Sequence, residues 1–180
     1  MVVTGPDRRV GGIARALPHW RRLTPLATWA HLNLRSGDRA EILGAIDAVR
    51  EQQGVPERQL ILLGEGIAAR GVLELVLQGA LACAGLLAIG VSCDALSFPI
   101  APTATAIRLV VSPQTRAAPD ALIDALRAAD IDERIIKLDP AVGNDALIAA
   151  SAAETFVLEL VATVGHQVRH GARTDEKQKT

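Results

Sequence analysis

The stretch that most constrains this chain is QLILLGEGIAARGVLELVLQG, residues 59–79. Four apolar residues in a row, 60–63, meet two glycines flanking Glu65 and give way to apolar residues at helical spacing. A strand that turns into a helix within two or three residues crowds the crossing, and glycine is the residue that tolerates such crowding and the sharp backbone turn. The unbroken apolar run matters equally. A strand wetted on one face alternates, whereas a strand with no polar position is covered on both faces. That is the condition of a parallel sheet between two layers of helices.

The rest of the chain repeats the pattern. Residues 40–54 place Ile42, Ala45, Ile46 and Val49 on one helical face and close on Gly54. Residues 85–91, 107–111 and 134–138 read as apolar strands. Residues 67–78, 119–130 and 145–164 read as helices, the second opening on Pro119. Before residue 40 the signals are short. "MVV" reads as a clipped strand and residues 20–26 as another. Residues 75–93 approach the length of a membrane span, but Gly79, Gly85 and Gly90 divide them into helix end, turn and buried strand. The expected fold class is α/β: a three-layer sandwich on a mostly parallel sheet, one domain over residues 1–165, with a polar disordered tail over 166–180.

Composition excludes several function classes. Nineteen basic and 20 acidic residues leave a formal net charge of −1, so no overall field draws in nucleic acid or an anionic membrane. Two Phe, two Trp and no Tyr give no platform for stacking bases. Cys83 and Cys93 form neither a disulfide framework nor a metal spacing, which suits a reduced, cytoplasmic protein. His166 and His170 stand four apart without a third ligand, so no metal is expected. The first residues carry no long apolar core of a secretion signal.

A strand, sharp turn and helix has two well-known chemical uses. One is the nucleophile elbow, G-x-S-x-G. The other is the dinucleotide fingerprint, G-x-G-x-x-G/A, which Gly64, Gly66 and Ala69 spell directly after a strand, with Asp94 as the candidate for a ribose hydroxyl. Asp94 lies farther downstream than that fingerprint usually places its acid, and the motif falls in mid-chain after a helix. No cofactor is expected.

Several segments match in order. They are "VVTGPDRRVGG", "TPLATWAHL", "GVPERQLILLGEGIAARGVLELVLQG", "AGLLAIGVS", "IRLVVSPQTRAAPDALIDALRAADID" and "IIKLDPAVGNDAL". Together they resemble the phospholipase/carboxylesterase branch of the α/β-hydrolase superfamily over residues 2–164. The resemblance implies a trimmed α/β-hydrolase-like fold with its cleft at the C-terminal ends of the strands. It also assigns the catalytic positions. The serine position is Gly66, the acid position Thr115, the histidine position Asn144, and Thr4 stands for the oxyanion-loop histidine beside a retained Gly5. His31 stands where the relatives carry an acid and reads as a surface or loop histidine.

The resemblance therefore implies the scaffold without its Ser-Asp-His triad. The implied function is non-catalytic: binding of a small acyl or ester-like ligand, or service as a partner protein, with a homodimer across the edge that the missing upstream strands would leave. The residual cleft would gather Thr4, Gly5, Glu65, Gly66, Ile67, Cys93, Thr115 and Asn144. The alternatives are a weak ester hydrolase using Glu65, Thr115 or Cys93, and a dinucleotide-binding module. Glu65 reads as an exposed turn carboxylate favoured by the helix dipole, and residues 18–22, "PHWRR", as a solvated basic turn.

Overall fold

A computed structural model of the chain describes residues 1–4, 12–35, 38–91, 94–111, 121–138 and 145–177. Six strands form one sheet: β1 (Val2–Thr4), β2 (His31–Asn33), β3 (Ile61–Glu65), β4 (Gly85–Ile89), β5 (Ala106–Val111) and β6 (Glu133–Lys137). Their order is β2-β1-β3-β4-β5-β6, and every neighbouring pair is parallel. In such a sheet all strands point one way, so Thr4, Glu65, Ile89, Val111 and Lys137 end on one edge. The order reverses between β1 and β3, the switch point where open α/β sheets leave a crevice.

The helices are α1 (Gly12–Leu23), α2 (Arg39–Gln53), α3 (Gly66–Leu77), α4 (Ala121–Ala128) and α5 (Asp145–Lys177). Buried residues of α2, α3 and α4 share one core with Val3, Leu62, Leu86 and Ile107. Those of α1 and α5 share a second core with Val2, Leu63, Leu87 and Val110. Two cores on opposite faces of one sheet make the three layers. Strand β4 is a continuous apolar run, β3 is one as far as Glu65 and β5 is one apart from Arg108, and β4 and β5 have no exposed position at all.

Local chemistry sets the boundaries. The Asp38 carboxylate accepts the Glu41 backbone N–H at 2.8 Å and caps α2. At the far end Gly54 takes φ +62° and donates back to the last turn. Close packing fixes the approach of α5 to the sheet: a Cβ on Gly85 would lie 2.7 Å from Leu160.

Two expectations are corrected. Residues 20–26 form no strand, because α1 runs to Leu23 and buries Leu17 and Trp20 on one helical face. Pro18 sits inside that helix and makes the segment read as non-helical. The missing strand is instead His31–Asn33, too short and too exposed to show an apolar pattern. The last helix, expected over residues 145–164, instead continues to Lys177 as α5.

Candidate functional site

The turn that opened the sequence reading closes β3 and starts α3 without an intervening residue. Glu65 is extended, at φ −130° and ψ 135°, and Gly66 is left-handed, at φ +61°. That single reversal is the elbow. A Cβ built on Gly64 would stand 2.6 Å from the Cα of Ala69, so only glycine lets α3 pack this closely on the strand. The residue across the crossing is Ala69, and Ala68 is fully buried beside it. Gly66 differs from Gly64. Among the described residues nothing lies within 4 Å of a Cβ placed there. Its glycine answers a backbone conformation, and the space above it would take a side chain.

The sequence candidates divide between described and undescribed residues. Thr4, Glu65, Gly66 and Ile67 are described; Gly5, Cys93, Thr115 and Asn144 lie outside the described residues. Thr4 ends β1, and Val3 pairs with Gly64, so Thr4 reaches the edge beside the elbow. Ile67 is 61% exposed there. Glu65 is corrected from an exposed turn residue: it is 7% exposed, because it is the last residue of β3 and pairs with Ile89. Its side chain makes no capping hydrogen bond to α3. Asp94, the ribose candidate, is exposed, and its backbone carbonyl accepts from Arg70 Nη1 at 3.3 Å.

One pairing at this edge has no signal in the sequence. The Thr4 hydroxyl lies 3.0 Å from His31 Nε2 and also donates to the Leu32 carbonyl at 3.3 Å. His31 is thus a strand residue at the sheet margin rather than a loop residue. Residues 18–22 belong to α1, where exposed His19 meets Glu154 at 3.1 Å.

Three solved structures are similar to this architecture. S-formylglutathione hydrolase FrmB from Staphylococcus aureus superposes with a TM-score of 0.59 at 11% identity, over 89% of this chain and 80% of the other. FphF, a fluorophosphonate-binding serine hydrolase of the same organism with substrate bound, gives 0.60 at 11%, over 89% and 82%. A protein from Xanthomonas campestris pv. campestris assigned to the α/β-hydrolase superfamily gives 0.50 at 14%, over 88% and 96%. The chain has an α/β-hydrolase-like fold. No family model matches the sequence, and no curated protein matches it.

On this hydrolase-like scaffold a cavity lies at the opposite edge of the sheet from the elbow. It measures about 610 Å³. Leu60, Ile61 and Met1 line it, which places it at the amino ends of β1 and β3. The last turns of α2 and the second half of α5 form its walls. Sequence reading missed it because its walls come from segments more than a hundred residues apart.

Sequence reading also missed a buried ion cluster. Arg108 interrupts the apolar run of β5 and is 3% exposed. Its Nη2 donates to Glu159 at 2.7 Å and to Asp132 at 3.3 Å, and its Nη1 donates to the carbonyls of Ile107 and Asp132. Burial alone would lower the Arg108 pKa; the hydrogen bonds and charges of Glu159 and Asp132 more than offset this, and the net shift is upward. Arg134 adds a second contact to Glu159 at 3.3 Å. The cluster ties α5 to β5 and β6, with Arg108 Nε left buried without a hydrogen-bond partner among the described residues.

Proposed function

We propose that this chain is a non-catalytic protein built on an α/β-hydrolase-like scaffold. It would act by binding a small acyl or ester-like ligand or a partner protein. The observation that carries the reading is Gly66, a residue without a side chain at the left-handed position of the elbow. Serine hydrolysis needs an oxygen nucleophile, a base to take its proton and an acid to orient that base. The elbow supplies no oxygen. The resemblance puts Thr115 and Asn144 at the other two positions, and neither side chain can do proton transfer near neutral pH.

The test is a serine-directed fluorophosphonate probe with an active serine hydrolase as control. The expected result is no covalent label on this protein and no burst with a nitrophenyl ester. Stoichiometric labelling that maps to one residue, such as Ser92 or Ser112, would overturn the reading.

A second reading, weak ester hydrolysis by substitute groups, has one observation in its favour: the Thr4 hydroxyl 3.0 Å from an imidazole nitrogen. The bond from the same hydroxyl to the Leu32 carbonyl competes for its only proton and weakens that reading. Slow ester turnover abolished by both Thr4→Val and His31→Ala would establish it.

A further inference from the structure

We infer that the cavity at the amino ends of β1 and β3 is a binding site for a chain-like aliphatic carboxylate, of the fatty-acid type. The inference deepens the non-catalytic reading by moving the ligand from the elbow edge to the opposite edge of the sheet. Its volume of about 610 Å³ lies inside the range of about 300–1,000 Å³ typical of small-molecule sites. The lining is mostly aliphatic and aromatic, with Leu26, Trp29, Val49 and Val161 among it. Leu26 is 92% exposed, a large apolar side chain left at the cavity with no protein cover. An alkyl chain laid along these residues would remove that surface from water.

Charge selects the head group. Among the described residues that line the cavity, Arg50 is the only side chain with a fixed charge, His166 is the only other titratable side chain, and none is acidic; the Met1 α-amino group donates to the Ile61 carbonyl at 2.7 Å, and burial lowers its pKa to about 5. Arg50 is held by Glu57 at 2.7 Å and by Asp47 at 3.3 Å. Both acids are about half exposed, with side-chain accessibilities of 55% and 49%. Exposed pairs of this kind are weak, so a ligand carboxylate can compete for the guanidinium. Gln53 and Gln59 line the same cavity and add amide donors. The apolar walls and the cation therefore match an amphiphile with a single negative end.

The protein carries its own reporter. Trp29 lines the cavity, Trp20 is the only other tryptophan, and there is no tyrosine. Titration of the full chain with dodecanoate should change Trp29 emission saturably, with a dissociation constant in the micromolar range by calorimetry. Trp20→Phe should retain the change. Ala162→Phe, at an exposed lining position, should fill the cavity and weaken binding at least tenfold while the thermal transition stays near that of the wild type. Arg50→Gln should weaken dodecanoate roughly tenfold and leave dodecanol nearly unaffected, because only the acid meets the lost cation.

Absence of saturable binding, or binding indifferent to both Ala162→Phe and Arg50→Gln, would overturn the assignment. So would a dimer dispersed by Ala162→Phe in a protein that does not bind dodecanoate, which would give the cavity to a second copy of the chain. Neither failure touches the fluorophosphonate result, which reports on the elbow alone.

Discussion

Alanine at the two elbow glycines separates two reasons for glycine that the sequence cannot tell apart. At Gly66 the cost is conformational. An L-residue held at φ +61° costs roughly 1–2 kcal/mol. Removing glycine's extra freedom from the unfolded chain returns about 0.4–1 kcal/mol. No described residue crowds the new methyl, so the net loss for Gly66→Ala is about 1 kcal/mol. At Gly64 the cost is overlap. The new Cβ would stand 2.6 Å from the Cα of Ala69. A backbone atom cannot rotate away, so α3 must lift from the strand it packs against. Overpacking of this kind costs about 1–3 kcal/mol and sometimes more, and the backbone partner puts Gly64→Ala near the top of that range. Urea unfolding measures the difference. With a slope of about 2 kcal/mol/M, the midpoint should fall by about 0.5 M for Gly66→Ala and about 1.5 M for Gly64→Ala. Equal losses at the two sites, or a loss below about 0.5 kcal/mol at Gly64, would refute the reading of the crossing.

Two further outcomes follow from buried groups. Glu159→Leu should destabilise by about 3 kcal/mol by leaving the buried Arg108 guanidinium with only the exposed Asp132 carboxylate, and the double change Arg108→Met with Glu159→Leu should recover most of it; a thermal double-mutant cycle reads the coupling. Cys83 is buried near Thr105, and burial pushes its thiol up to about 12 from 9.0. In a Cys93→Ser background it should therefore resist iodoacetamide at pH 8 until the protein unfolds. Because the folded pKa lies above the unfolded one, its contribution to stability is complete below pH 9 and is lost as pH rises toward 12, which alkaline melts check.

How much was legible depends on how local the signal was. Strands β3, β4 and β5 were legible because burial on both faces forces unbroken apolar runs, as in residues 60–63 and 85–89. Helix α2 was legible because a cap and a left-handed glycine bracket it. Helix α1 was not, since Pro18 stands where local rules end a helix, and tertiary burial of Leu17 and Trp20 overrides them. Strand β2 was not, since three residues with two exposed carry no period. At the candidate site Gly66 was legible from its motif. The Thr4–His31 pairing was not, because it joins residues 27 apart through strand register. Arg108 left a visible trace, a charge inside a buried run, although its partner Glu159 is 51 residues away.

Packing alone is enough to require the turn between β3 and α3. Gly64 against Ala69 is a packing requirement of α3 on β3, and α3 supplies much of the larger core through Ala68, Val72, Leu73 and Val76. Any change that opened the crossing would expose that core, so the turn survives whether or not a hydroxyl sits on it. A nucleophile at the elbow must accept a left-handed backbone, whereas glycine occupies that conformation without strain. Glycine at position 66 thus holds the turn relaxed. The amino edge is built differently. Its cavity is held between the last turns of α2 and the second half of α5, and α5 is anchored on the sheet by the Arg108 cluster and by Leu160 against Gly85. The elbow's packing and the cavity's walls therefore rest on different contacts at opposite ends of the strands, and ligand binding at one end places no demand on the geometry of the other.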